Sequence, residues 1–142
     1  MKLDITWQGT ERDRKIQKTA VKAAKAAAKA EGMKGGVSLL FTDDETVREL
    51  NSRYRGIDTT TDVLSFPSGE AGFLGDIAIS VPCAQRQADE FGHLLAREVA
   101  FLTVHAMLHL FGYDHIEAAD EEKMRARQRE ILTSAGYEVH EA

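Results

Sequence analysis

The sequence contains a single cysteine, Cys83, among its 142 residues. One cysteine cannot form a disulfide within the chain, and it excludes a metal site built from several thiolates. We expect Cys83 to be a small, buried residue rather than a nucleophile. The scarcity of cysteine is typical of proteins from the reducing cytoplasm, which is the location we predict.

Long hydrophobic runs are also missing. The longest apolar stretch lies around residues 99–111 and is too short and too interrupted to span a bilayer, so we expect no membrane association. The beginning of the chain is polar and resembles a strand followed by a helix rather than a secretory signal. With 43% hydrophobic and 29% charged residues, the composition is that of an ordinary globular protein, and we predict one domain over residues 1–142.

The charge is distributed unevenly along the chain. Residues 1–34 hold nine Lys and Arg against four Asp and Glu (net +5), whereas the remainder holds nine against nineteen (net −10). Such a balance argues against tight, nonspecific nucleic-acid binding by the whole surface. A strip of positive charge on one predicted helix either meets phosphate backbones or is simply a solvated face. Its members are Arg12, Arg14, Lys15, Lys18, Lys22, Lys25 and Lys29.

The motif His105-Ala-Met-Leu-His109-Leu-Phe-Gly112-Tyr-Asp-His115 is the part of the chain that indicates chemistry. His105 and His109 are four residues apart, so on a helix they project from the same face, one turn from each other. Gly112 stands where the helix should end, because glycine adopts a left-handed conformation without steric strain. The reversal of the chain can bring His115 back toward the pair. Three imidazoles with an open fourth position are typical of a catalytic zinc site.

The surroundings of the motif favour a metal site. Between Val99 and Phe111 the polar side chains are Thr103, His105 and His109, so this helix is apolar on nearly every face and should be buried. A buried polar group is unfavourable unless it is hydrogen-bonded or bound to a metal. The alternative is a pair of core histidines that hydrogen-bond to the backbone or to carboxylates.

The spacing reproduces the H-E-x-x-H-x-x-G-x-x-H pattern of the metzincin proteases with one substitution. Metzincins carry a general-base glutamate directly after the first histidine, whereas this chain has Ala106. A peptidase that works by that mechanism is therefore disfavoured, although the metal ligands are retained. The pattern indicates a hydrolase that activates water on zinc and handles protons by another route.

Hydrophobic periodicity and turn signals predict an α+β fold. We expect a single mixed sheet of about four strands with helices packed against it, and the three-histidine zinc site on a buried helix in a zincin-like arrangement. The first two strands, residues 3–7 and 37–41, should pair in parallel through a right-handed crossover. Two more strands are predicted at residues 63–66, ending at Pro67, and at residues 74–81.

Helix signals occur at five places in the chain. Capping patterns at residues 10–13 and 42–45 should open the first two helices, and Val47, Leu50 and Tyr54 should form the inner face of the second. The remaining helices are predicted from Pro82 to about residue 91, over residues 93–111 and over residues 120–134.

Three segments together resemble the YbeY family of bacterial metal-dependent endoribonucleases, which are linked to rRNA maturation. They are the loop at residues 51–67, the strand Leu74-Gly-Asp-Ile-Ala-Ile-Ser80 and the histidine motif, in the family's order and spacing. The resemblance covers residues 47–138. Two positions depart from the family pattern, because Ala106 replaces a glycine and Thr60 replaces a proline.

The resemblance implies one zinc ion held by His105, His109 and His115, although imidazoles also accept nickel and other divalent ions. It also implies a single-strand-specific endoribonuclease that acts in 16S rRNA 3′-end maturation and ribosome quality control. RNA, the small ribosomal subunit and assembly factors are the implied partners, and nothing indicates an oligomeric state. The alternatives are a metallopeptidase-like hydrolase and a ribosome-assembly factor with a structural metal.

The resemblance implies that Arg55 is the catalytic or substrate-holding arginine. A guanidinium matches the oxygens of a phosphoryl transition state in a bidentate way. The alternative for Arg55 is a salt bridge to Asp58 or Asp62 that fastens the loop. Asp114 and Asp76 could each orient a ligating histidine, or could simply form a turn and end a strand. The nucleophile could be water or the 2′-hydroxyl of the RNA.

Overall fold

The computed structural model describes residues 1–114 and 116–137. The described part of the chain forms one four-stranded sheet and five helices, which confirms the α+β prediction. None of these helices has the length and hydrophobicity needed to cross a membrane. In chain order the elements are β1 (Lys2–Trp7), α1 (Arg14–Glu31), β2 (Gly36–Thr42), α2 (Asp44–Arg55), β3 (Val63–Glu70), β4 (Phe73–Ser80), α3 (Val81–Phe91), α4 (Leu95–Leu110) and α5 (Ala118–Ser134).

The sheet is mixed and has the order β1-β2-β4-β3. β1 pairs with β2 in parallel, as predicted, β2 pairs with β4 in parallel, and β3 runs antiparallel to β4 at the edge. Alternate residues of β2 point to opposite faces. Leu39 packs in the main core with α1 and α4, whereas Leu40 packs in a smaller cluster with Val47 of α2. Helices therefore cover both faces of the sheet.

Helix α1 presents a face of small residues to the core. Its alanines at positions 20, 23, 24 and 27 are at most 1% exposed. The helix begins later than the pattern at residues 10–13 suggested. Asp13 is the N-cap residue, and its carboxylate accepts hydrogen bonds from the backbone N–H groups of Lys15 and Ile16.

Helix α4 lies in the centre of the main core, as its apolar sequence predicted. Leu108 is fully buried and Ala106 is 1% exposed, whereas His105 and His109 are only partly buried. The helix starts at Leu95 rather than at residue 93. Glu98 near its start is buried, and its carboxylate is satisfied by His93 Nε2 at 2.7 Å.

A glycine in β4 brings the edge strand close to α4. Gly75 has φ 150°, and a Cβ at this position would overlap the carbonyl oxygen of Phe66 in β3 and crowd Leu110 at the end of α4. Only glycine permits this approach of two strands and a helix. It places β3 beside the helix that carries the histidines.

Two further details of the fold differ from the sequence prediction. Pro67 does not end β3, which continues to Glu70, because an edge strand tolerates a residue that has no backbone N–H. Tyr54 does not face inward: it is 62% exposed and lies edge-on to Phe66, with ring centroids 5.6 Å apart. The inner face of α2 is formed by the buried Val47 and the partly buried Leu50.

Candidate active site

Two imidazole rings converge at the C-terminal end of α4. The rings of His105 and His109 have centroids 4.7 Å apart and an interplanar angle of 78°. Their Nε2 atoms are 3.2 Å apart. The spacing of four residues therefore produces the shared helix face that the sequence predicted.

The other ring nitrogen of each histidine fixes its tautomer. His109 Nδ1 is 2.9 Å from the carbonyl oxygen of Tyr113, which can only accept, so Nδ1 carries the proton. His105 Nδ1 faces Gln128 Oε1 at 3.4 Å, and the amide of Gln128 is oriented by donation from its Nε2 to the carbonyl of Phe101 at 3.2 Å. His105 Nδ1 is therefore also the donor. In a neutral ring, Nε2 is then the nitrogen that can bind a cation.

Two ring nitrogens at this separation of 3.2 Å can share a proton or a cation. Zinc binds imidazole nitrogens at about 2.0–2.1 Å in a tetrahedral arrangement, which separates two ligand nitrogens by roughly 3.3–3.4 Å. The observed separation is close to this value. The partners of the Nδ1 atoms are of the kind that orient ligating histidines in metal sites. The two histidines therefore fit a zinc ion without rearrangement.

The histidines open into a cleft of about 300 Å³ that also contains Arg55. One wall is formed by α4, and the other is formed by the end of α2, the following loop and the start of β3. The lining is mainly polar and consists of Arg55, Thr61, Asp62, Val63, Ser65, His105, Ala106 and His109. The structure thus brings Arg55 to the same cleft as two of the three predicted metal ligands.

Arg55 is the last residue of α2, and Gly56 then turns the chain with a φ of 69°. The guanidinium donates from Nη2 to the carbonyl oxygen of Ser65 at 2.6 Å. Its central carbon lies 5.3 Å from the centroid of the Phe66 ring, which is within the range of a cation–π contact. These contacts hold the guanidinium against β3 while the residue stays exposed.

The structure does not place Arg55 in the loop-fastening salt bridge that was its alternative. Asp58 pairs instead with Arg48, with Nε and Oδ1 2.9 Å apart. The carboxylate of Asp62 accepts from the N–H of Val63 at 2.8 Å. Within the described residues Arg55 forms no ion pair with either carboxylate.

His115, the third predicted ligand, lies outside the described residues, so its place in the site stays a prediction. Among residues 1–114 and 116–137, no cluster of three or more His, Cys, Asp or Glu side chains could hold a metal ion. Asp114 forms a turn, since its carboxylate accepts from the N–H of Ile116 at 3.3 Å. Asp76 is exposed on β4.

Residues 4–136 match the family described as endoribonuclease YbeY. The chain belongs to the YbeY family. The prediction of an enzyme that hydrolyses RNA is thereby confirmed, as is the resemblance on which it rested.

Relatives named endoribonuclease YbeY align along most of the chain. The protein from Moorella thermoacetica is 51% identical over 133 residues, which cover 83% of this chain and 85% of the relative. The protein from Brevibacillus brevis is 42% identical over 142 residues, covering 87% and 89%. A Thermotoga maritima protein known from a solution structure has a similar fold, with a TM-score of 0.63 and 26% identity over 93% of this chain and 90% of the other.

Several groups that hold the side chains of this YbeY-family cleft in place could not be found by sequence reasoning. Gln128, which orients His105, is 23 positions away in α5 and has no pattern that relates it to the histidines. The carbonyl groups of Tyr113 and Ser65 act through the backbone, so residue type gives no signal for them. Phe66 could have been suspected, because it lies one residue before the end of the 51–67 segment that carried the resemblance.

Cys83 lies outside this cleft at the start of α3. It is partly buried, and desolvation by burial raises the pKa of its thiol above the usual value. A raised pKa keeps the thiol protonated at neutral pH, and a thiol is a poor nucleophile. The prediction that Cys83 has no nucleophilic role therefore agrees with its surroundings.

Proposed function

We propose that this protein is a zinc-dependent, single-strand-specific endoribonuclease that acts in the cytoplasm in 16S rRNA 3′-end maturation and ribosome quality control. Hydrolysis of RNA follows from family membership. The observation that supports the finer proposal is one cleft that holds two imidazole Nε2 atoms 3.2 Å apart and an arginine suited to phosphate.

The proposal assigns the zinc ion to His105, His109 and His115. When bound, the ion supplies Lewis-acid chemistry, since it lowers the pKa of a water molecule and draws charge from phosphate oxygens. The protein fixes both described ligands through their Nδ1–H groups, so neither imidazole has to turn when the cation binds. Ala106 lines the cleft between them with a side chain too small to block access.

Arg55 is assigned to the phosphate. Its contact with the Ser65 carbonyl uses one of five N–H donors, and the fork of the remaining donors can meet two nonbridging oxygens of a phosphodiester. Such donors stabilise the negative charge that gathers in the phosphoryl transition state. Because the guanidinium is held against β3 before RNA binds, little side-chain entropy is lost on binding.

Asp62 is assigned the role of general base, the group that accepts the proton. It is the carboxylate among the lining residues, and position 106, where a metzincin has its base, carries an alanine. Donation from Val63 N–H and from the Thr61 hydroxyl at 3.2 Å holds the carboxylate at the edge of the cleft. There it can accept a proton from the attacking oxygen.

The dimensions of the cleft support a single-stranded substrate. A volume of about 300 Å³ is at the lower limit of small-molecule sites. An A-form duplex cannot enter a cleft of this size, whereas a backbone with unstacked bases can. Single-stranded rRNA ends on the small ribosomal subunit, and the assembly factors gathered there, are therefore the proposed setting.

The test is a comparison of substrates with and without metal. Zinc-loaded protein, chelated protein and protein reloaded with zinc are incubated with single-stranded RNA, duplex RNA, peptides and precursor small subunits that carry unprocessed 16S rRNA. We expect zinc-dependent cleavage of single-stranded RNA and of the precursor 3′ end. Equal cleavage after chelation would overturn the zinc assignment, and cleavage of peptides alone would support the metallopeptidase alternative.

A further inference from the structure

Helix α1 carries a line of five exposed lysines: Lys15, Lys18, Lys22, Lys25 and Lys29. At about 100° per residue, the five fall within an arc of roughly 80° on the helix surface, and the line is about 21 Å long. The buried residues of the helix, such as Ala20 and Ala27, lie on the opposite side. The line therefore points directly away from the core.

Other helices of the molecule show what an ordinary solvated face looks like. α5 carries charges of both signs and pairs them, as in Arg125–Glu121 and Arg127–Glu130, each at 3.0 Å. In contrast, α1 has no carboxylate between Arg14 and Ala30. Of the ion pairs formed by the described residues, none involves these five lysines.

The spacing of the lysines is electrostatically unfavourable without a partner. Successive members are three or four residues apart, so each repels its neighbours along the helix. The acidic residue at the end of the helix does not relieve this repulsion, because Glu31 is bound by Arg127 Nε at 2.7 Å. A polyanion laid along the line would relieve it.

We propose that this lysine line of α1 binds the phosphate backbone of RNA outside the catalytic cleft. The line matches about six phosphates of one stacked strand, at roughly 3.4 Å per phosphate. Residues 35–142 carry a net charge of −10, so an RNA chain is repelled by most of the remaining protein and directed to this line. The inference rests on the proposed function insofar as the polyanion is the RNA substrate.

A membrane surface fits the helix less well than RNA. Helices that lie on membranes insert a face of bulky apolar residues. The apolar face of α1 consists mainly of alanines and is already packed in the main core. None of the described residues that line the cleft belongs to α1. RNA held by α1 is therefore a part of the substrate away from the scissile bond.

The test compares Lys18→Gln/Lys25→Gln with the matched control Lys2→Gln/Lys34→Gln, which removes two exposed lysines elsewhere. Binding of a single-stranded RNA of about 30 nucleotides is measured against salt concentration, at roughly 0.7 units of slope per phosphate contact. We expect Lys18→Gln/Lys25→Gln to bind RNA roughly tenfold more weakly at about 0.1 M salt. The slope of its log affinity against log salt concentration should fall by about 1.4 units. The control should bind like the wild type. Cleavage of a short oligonucleotide should be unchanged in both variants.

Two outcomes separate this inference from the proposed function. If the wild type cleaves RNA and both double variants bind RNA as tightly as the wild type does, the lysine line is not an RNA-binding surface. The endoribonuclease proposal then stands. If the wild type neither binds nor cleaves RNA, the proposed function fails together with the inference. A third outcome is that the wild type binds polyglutamate but not RNA, and that only Lys18→Gln/Lys25→Gln loses this binding. It would assign the lysine line to an acidic protein partner and overturn the RNA proposal.

Discussion

The two walls of the cleft that holds Arg55, His105 and His109 are built in different ways. The wall on α4 places His105 and His109 on a helix whose neighbouring residues are almost completely buried, and each imidazole is fixed by a second hydrogen bond. The opposite wall, residues 55–65, consists largely of a loop with exposed side chains. It is held by separate contacts, among them Asn51 Nδ2 to the carbonyl of Thr59 at 2.9 Å and Thr60 Oγ1 to the carbonyl of Asp44 at 3.0 Å.

This difference assigns a separate task to each wall. A cation needs ligand atoms at fixed positions, and packing in a core restricts side chains to single rotamers. The Arg55 guanidinium, which we propose to bind a phosphate, is exposed to solvent. The exposed ion pair of Arg48 with Asp58 that supports the loop is worth little individually. Substitutions in the helical wall should therefore affect metal binding, and those in the loop wall should affect catalysis with the metal retained.

The largest effect is expected for His109→Ala. Removal of one of the ligands should abolish stoichiometric zinc binding and reduce RNA cleavage by about 10³-fold or more, because the contribution of the metal to transition-state stabilisation is several kcal/mol. Zinc content and cleavage rate are measured on the same preparation. His93→Gln is the control, since its amide can still donate to Glu98. If His109→Ala retained wild-type zinc content, the helical wall would not hold the metal.

The next largest effect is expected for Arg55→Ala. Cleavage should fall by about 10²–10³-fold, the range found for removal of one transition-state donor, while zinc content stays at the wild-type level. Arg55→Lys should recover little, because an ammonium lacks the bidentate fork. The control Arg53→Ala removes a neighbouring charge of α2 and should be nearly silent. Loss of zinc from Arg55→Ala would remove the distinction between the two walls.

A smaller effect is expected for Gln128→Leu. The substitution removes the acceptor for His105 Nδ1–H and should weaken zinc affinity by about 10–100-fold, as loss of such an orienting group generally does. Cleavage at saturating zinc should recover most of the wild-type rate. Competition with a chromogenic chelator measures the affinity. An unchanged affinity would show that Gln128 packs in α5 without orienting the histidine.

The smallest effect concerns Asp44, which joins the base of the loop wall to β4 and α3. Hydrogen bonds from Arg86 and then from Ser80 hold the pKa of the Asp44 carboxyl below its usual range. A carboxyl with a lowered pKa stabilises the fold above its unfolded-state pKa and loses this contribution as the pH falls through the folded-state value.

Asp44→Asn should therefore lower the free energy of unfolding at pH 7 by about 1 kcal/mol, a modest value because Arg86 and Asp44 are partly exposed to solvent. The difference from the wild type should shrink in strong acid, where the wild-type carboxyl is also protonated. Urea denaturation at both pH values measures it. A difference that is independent of pH would mean that ionisation of Asp44 contributes nothing to stability.

The same two walls show how far the sequence allows prediction. α4 and its paired histidines were predictable, because helical periodicity and burial are properties of neighbouring residues. The loop wall has no periodicity, and Arg55 was identified only through the family resemblance. Tyr54 was placed wrongly because the apolar spacing along α2 does not show where its packing ends: Val47 is buried, whereas Tyr54 is 62% exposed. The contact of Gln128 with His105 could not be predicted from the sequence, since only the packing of α5 on α4 brings the two residues together.

We propose that His105 and His109 share one divalent cation in a cleft that also holds Arg55. Diffraction from crystals grown with zinc, recorded at the zinc absorption edge, shows whether they do. We predict a single anomalous peak in the cleft, about 2.0–2.1 Å from both Nε2 atoms, with a third imidazole from His115 and one position open to solvent. A fully zinc-loaded crystal with no peak between these two nitrogens would show that the histidines do not share a metal ion.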